Sequence, residues 1–276
     1  MKTTTKDLTK GTIWKQLIAF AIPLIWGNLF QLTYNMVDSI VVGQFAGQDA
    51  LAAVGTSDPV MNLLILGVTG LCIGASVIMS NCFGAGKTEE LKHEVGMTLL
   101  LVMGMSAVIL VGGLIASEGI LKLMQTPTDI LPLAESYLHI IFIGMPFTCL
   151  YNIYAASLRS VGDAKTPVYF LVLSSVLNGA LDVLFVAGLH MGVAGAGLAT
   201  VIAEAVVSMC LCVIYVYFRV PMLHLKKEHF QLDKRLIWMD STVRWYVVTS
   251  AVQSAAWKAF DSGCNQYAWC WCNGSI

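Results

Sequence analysis

Charge is what this sequence lacks. Only 12% of its 276 residues are charged, and 57% are hydrophobic, where soluble domains carry roughly 25% charge. With a mean hydropathy of +0.73, the chain reads as an integral membrane protein rather than a soluble domain. A net charge of -1 and the want of a clustered basic patch exclude nucleic acid as a partner. No A-x-A-like site follows the first apolar run, so no cleaved signal peptide is expected. Gly84-Ala85-Gly86-Lys87 lacks the spacing of a phosphate-binding loop. Of the eight cysteines, Cys72, Cys82, Cys149, Cys210 and Cys212 lie in or at the ends of apolar runs, while Cys264, Cys270 and Cys272 have no zinc-type partner set. Neither metal, disulfide nor cofactor is expected, and nothing in the sequence points to an enzyme.

Long apolar runs are there instead, and about 20 residues suffice to cross a bilayer. They fall at about 17–42, 59–83, 95–117, 136–158, 167–189 and 191–218. The connections expected between them are a loop at 46–57, the Gly84–Lys87 turn, a loop with Glu118, Lys122, Pro127, Asp129 and Pro132, and the turn RSVGDAKTP at 159–167. The resulting fold class is all-α, a polytopic bundle of six transmembrane helices. Of the fourteen Lys and Arg up to Arg235, Lys122 alone falls on one side of this topology. Positive residues mark cytoplasmic loops, so both flanks of the bundle are expected in the cytoplasm.

Four segments follow. Residues 1–15 form a cytoplasmic arm, 16–218 the six-helix unit, and 219–238 a basic cytoplasmic linker or surface-lying helix (RVPMLHLKKEHFQLDKR in its first part). Residues 239–276 read as an aberrant start of a seventh helix, interrupted by Arg244 and Lys258, and five of the seven Trp fall after residue 237. That change of composition is what a frame change or a truncation would produce.

Polar residues inside the spans carry the functional signal. Asn178 and Asp182 lie four residues apart on one face of the fifth span. A carboxylate there costs about 2.5 to 3.5 kcal/mol on insertion scales, so it is expected to face a protein interior or a wet cavity. The second half of the first span carries Asn28, Gln31, Asn35 and Asp38, with Tyr34 between them; Gln31, Tyr34 and Asn35 are candidates for lining the same cavity. Thr200 and Glu204 share a face of the sixth span, and Glu204 either joins the site or pairs with a neighbouring helix. Pro23 sits within the first span as a kink that a membrane helix tolerates. Gly192, Gly195 and Gly197 are expected to let helices pack closely, and His139 and His190 to be interfacial side chains near span ends.

Taken together, a first span ending in Asp38, the turn RSVGDAKTP, LNGALDVLF in the fifth span and GAGLATVIAE in the sixth resemble the N-terminal half of a MATE (multidrug and toxic compound extrusion) transporter over about residues 10–237. The resemblance implies one lobe of a twelve-helix fold with two related six-helix lobes. It also implies a cation or proton site formed by Asp38, Asn178, Asp182 and Thr200, and a helix-bending role for Pro23. A neutral polar residue would be usual where Glu204 stands. The implied activity is export of cationic or amphipathic drugs and toxins in exchange for H⁺ or Na⁺. The lobe then requires a second lobe or a homodimer partner.

The residues support such chemistry without the family. Two carboxylates in one poorly hydrated cavity cannot both remain bare, so the pair takes up a proton or a cation. Two rival readings are weaker. An intramembrane aspartyl protease built on Asp38 and Asp182 would want a G-x-G-D motif, and Asp182 sits in G-A-L-D. A flippase for lipid-linked precursors would line its cavity with Arg or Lys, and the spans hold none. The remaining alternative is an inactive fragment, since a single lobe has no partner to rock against.

Overall fold

A computed structural model of the chain describes residues 13–225 and 229, and all regular structure there is helical. Helix α1 runs Ile13–Phe45, α2 Gln48–Gly84, α3 Thr88–Leu123 and α4 Leu131–Ser160. Helix α5, Lys165–Asp182, widens into a π-helical turn at Val183–Gly188. Helix α6, Gly192–Met209, continues through a second π-helical stretch, Cys210–Val216, into the final turn α7, Tyr217–Arg219, and a 3-10 turn at Pro221–Leu223. Five of these stretches are long and apolar enough to cross a membrane: α2, α3, α4, Lys165–Gly188 and Gly192–Arg219. Helix α1 has the length to cross as well, with 33 residues giving about 50 Å at 1.5 Å per residue.

Helices α1 to α4 begin earlier and end later than the apolar runs, because an α-helix continues into water for as long as good helix formers last. The clearest correction is at 46–57, expected as a loop. After a turn at Gly47, with φ of 94°, α2 starts at Gln48 and carries Asp49 in its first turn, where the helix dipole favours an anion. Ala50, Ala53 and Val54 of this turn are buried, so packing holds it helical. The Gly84–Lys87 turn lies where expected. The 159–167 turn is closed by Asp163, which accepts hydrogen bonds from the Thr166 backbone N–H (3.1 Å), the Thr166 hydroxyl (2.7 Å) and the Tyr215 hydroxyl (2.8 Å). It thereby caps α5 and ties it to the far end of α6.

Helix α4 is the central post. It packs against α2, α3 and α6, and Leu138, Phe142, Met145, Cys149 and Ile153 along it are buried. Helix α1 stands at the margin and packs chiefly on α5. Gly197 fits the close-packing expectation, since a Cβ there would lie 3.3 Å from the Tyr137 ring. Gly192 does not: nothing lies within 4 Å of it, and its φ of 59° marks it as the residue that turns the chain into α6. His139, near the start of α4, lies with its Nε2 2.8 Å from the Ser117 hydroxyl of α3. Arm residues 1–12, most of the linker and the whole of 239–276, with Cys264, Cys270 and Cys272, lie outside the described residues.

Candidate functional site

The polar residues of α1, α5 and α6 come together inside the bundle. Helix α1 presents Tyr34 and Asp38 one turn apart; α5 presents Asn178 and Asp182 in the same way; α6 contributes Thr200 and Glu204. Each pair is spaced i, i+4, which stacks the two side chains on one helix face.

Asp182 is fully buried at 0% exposure, and neither of its carboxyl oxygens has a hydrogen-bond donor. Its neighbour is Asp38, half-buried, whose carboxyl group lies within side-chain reach across the α1–α5 seam and has one oxygen equally without a donor. Asn178, at 2% exposure, donates from Nδ2 to the Thr200 hydroxyl at 3.1 Å, and its Oδ1 is buried without a donor. Thr200 in turn donates to the Ala196 carbonyl one turn back, at 3.2 Å. The Tyr34 hydroxyl lies within hydrogen-bonding reach of Thr200, and the charges of Glu204, Asp38 and Asp182 all act on it. Glu204 accepts a short hydrogen bond from the Thr148 hydroxyl of α4.

Four buried acceptor oxygens without a protein donor, on Asp38, Asn178 and Asp182, are costly unless a proton, a cation or water satisfies them. Among the described residues no Lys or Arg compensates them; the Lys ion pairs sit at helix ends, as with Lys87–Glu90, Lys92–Glu89 and Lys122–Glu118. A donor set of two carboxylates, an amide oxygen and a hydroxyl suits a hard monovalent cation or a proton.

Other expected residues lie differently. Gln31 and Asn35 are exposed on α1, outside the buried pocket. Pro23 is half-buried inside α1, whose backbone stays helical through it. Two further residues lie near enough to feel the charge of the pair: Tyr137 of α4, 7% exposed, that of Asp38 and Asp182, and Asp58 of α2, itself exposed, that of Asp38. Asp58 went unnoticed because 46–57 reads as loop and puts it outside a span. Tyr137 is one aromatic among many near the start of an apolar run, with no sequence signal to set it apart.

Comparison with known proteins agrees with this architecture. A family model described as MatE matches residues 23–184. The chain is 34% identical over 247 residues to the probable multidrug resistance protein YoeA of Bacillus subtilis, covering 88% of this chain and 50% of that protein. It is 29% identical over 230 residues to the probable multidrug resistance protein NorM of Thermotoga maritima, covering 82% and 47%. A solved multidrug resistance MATE family transporter of the MOP superfamily, in an outward-facing conformation, is similar with a TM-score of 0.78 and 28% identity, over 86% of this chain and 52% of that one. A MOP superfamily transporter from Pyrococcus furiosus gives a TM-score of 0.79 and 26% identity, over 93% and 55%. The chain spans about half the length of the curated relatives it matches.

Proposed function

The chain belongs to the MatE family, and from that premise we propose that it forms the N-lobe of a secondary antiporter exporting cationic or amphipathic drugs and toxins in exchange for H⁺ or Na⁺. The multidrug resistance relatives support the substrate class. The observation that carries the coupling role is Asp182, fully buried beside Asp38 with no donor on either oxygen.

In this reading Asp38 and Asp182 hold the coupling charge, while Asn178 and Thr200 supply neutral oxygens and fix the geometry. Loading one positive charge from outside draws on the membrane potential, about 2.3 kcal/mol per elementary charge per 100 mV. A cationic substrate that needs the same carboxylates ionised leaves when the proton or sodium ion enters. Competition of this kind gives antiport once the lobe alternates between inward-open and outward-open states. A second lobe or a homodimer partner provides the body against which this one rocks. The Lys and Arg distribution supports a cytoplasmic N-terminus in a bacterial or archaeal plasma membrane.

The purified chain is expected to bind tetraphenylphosphonium and to release H⁺ or Na⁺ as it does so, with both signals lost in Asp182→Asn. Binding of the lipophilic cation that ignores pH, Na⁺ and the Asp182→Asn change would refute the role of the pair.

A further inference from the structure

Glu204 stands on the same α6 face as Thr200, one turn further from the Gly192 end of the helix. The distances along the helices can be compared from the end of the bundle where α1 and α5 finish and α6 starts. At about 1.5 Å per residue, Asp38 is about 10 Å from Phe45 and Asp182 about 9 Å from Gly188. By the same rise, Thr200 is about 12 Å and Glu204 about 18 Å from Gly192, and Tyr34 about 16 Å from Phe45. The acids therefore occupy two levels, with the Asp pair on one and Glu204 nearer the other membrane face.

The space between the levels is furnished with polar groups. Tyr34 stands beside Thr200 between the two levels, near enough to feel the charge of Asp38, Asp182 and Glu204 alike. Asn178 Oδ1, buried and without a donor, lies at the intermediate level, about 15 Å from Gly188 by the same helical rise. On the far side Glu204 is gripped by Thr148, whose own carbonyl accepts from Asn152 Nδ2 at 2.8 Å. The titratable groups around Glu204 are Tyr34 on α1 and Cys149 and Tyr151 on α4. None of them is a cation at neutral pH. Arg159 acts on Tyr151 and Cys72 and makes no ion pair with Glu204.

We propose that Glu204, held by Thr148 and joined to the Asp38–Asp182 pair through Tyr34, Thr200 and Asn178, is a second station for a small monovalent cation, H⁺ or Na⁺. The lobe then takes up two positive charges. This deepens the antiport reading and rests on it for the first station. A cation at the Asp pair has acceptors at hand along the whole route: Asn178 Oδ1, the Thr200 and Tyr34 hydroxyls, then the Glu204 carboxylate. A carboxylate with one hydroxyl donor and no counter-ion has every reason to bind one.

The test counts cation equivalents per purified full chain, by equilibrium binding of ²²Na⁺ at alkaline pH and by proton uptake with a pH indicator after an acid pulse; the arm that responds identifies the ion. The expected result is two equivalents in the wild type, and one each in Glu204→Gln and Asp182→Asn. One equivalent in both wild type and Glu204→Gln, with none in Asp182→Asn, overturns the second station and leaves the paired-aspartate reading standing. Loss of one in Glu204→Gln and none in Asp182→Asn supports the second station and overturns the other reading. Thr148→Val leaves every carboxylate in place and covers a Glu204→Gln chain that does not fold. It is expected to weaken one equivalent by about tenfold and spare the other; two unaltered equivalents overturn the proposal.

Discussion

Replacing Asp182 by Asn should make the folded chain more stable. Asp182 is fully buried with no donor on either oxygen and with the Asp38 carboxyl within side-chain reach. Two like charges about 4 Å apart cost about 4 kcal/mol at an effective dielectric of 20. An amide at position 182 removes that repulsion and can donate to Asp38, a charge-assisted bond worth about 1.5–3 kcal/mol. On the proposed reading the wild type relieves part of the strain by holding a proton or cation, so the net gain expected is about 1–2 kcal/mol. For a chain of this size that is about 3–6 °C in melting temperature. Thermal unfolding in detergent, followed by tryptophan or cysteine-reactive fluorescence in buffer free of Na⁺, measures it. The gap should narrow as pH falls, because acid protonates the wild-type pair and removes the same repulsion. A side chain that serves packing alone behaves oppositely: an Asp182→Asn protein that melts several degrees lower would refute the claim that this carboxylate is held at a cost to stability.

Other changes probe the scaffold around the pair. In Gly144→Ala the new Cβ would lie 2.6 Å from Val201 Cγ2, so α4 and α6 must part; a loss of about 1–3 kcal/mol is expected in the same melt, with weaker cation binding through the Thr148–Glu204 contact. Asp163→Ala removes the α5 cap and the bond to Tyr215 and should cost about 1–2 kcal/mol, with faster amide exchange at the start of α5, whereas Asp163→Asn should recover part of it. In Gly96→Ala the methyl would stand 2.5 Å from the His229 carbonyl oxygen, so the chain beyond α6 should lift from α3 and trypsin should cut more quickly after Arg219; unaltered cleavage would argue that the contact holds nothing.

How much of this was legible beforehand follows from which signals are local. Apolar run length reports the spans because lipid imposes one thickness on every crossing. Run length cannot report where a helix stops in water, and so the first turns of α2, with Ala50, Ala53 and Val54 packed inside, read as loop. The i, i+4 spacing of Asn178 and Asp182 showed that they share a face, and the cost of a buried acid showed that the face looks inward. Which residues complete the pocket depends on how α1, α4 and α5 cross, and no spacing encodes that. Tyr137 and Asp58 are therefore visible only in three dimensions, as is the exposure of Gln31 and Asn35. The π-helical turns left no mark in the sequence either. A π turn inserts one residue into a helical ladder, and the one at Val183–Gly188 begins at the residue after Asp182.

That placement joins the site to the packing of the lobe. Asp38 belongs to α1, which rests chiefly on α5, and Asp182 ends the regular part of α5. Charge on the pair is therefore charge across the α1–α5 seam. With both carboxylates bare, repulsion of the order worked above acts to open that seam, while a proton or cation shared between them draws it shut. Helix α4 is locked by core contacts on three sides and has little freedom to respond, so α1 is the element whose position the bound charge can bias. A ligand shifts an equilibrium only by its differential affinity for the two states, and a cation bridging Asp38 to Asp182 is bound more tightly with the seam closed. Disulfide-free crosslinking at the seam, with cysteines placed at Gly27 and Val168, whose atoms would sit 3.3 Å apart through the glycine Cβ, should therefore go faster in the presence of the coupling ion. It should be insensitive to that ion in Asp182→Asn; equal ion dependence in both proteins would break the link between the charge and the helix.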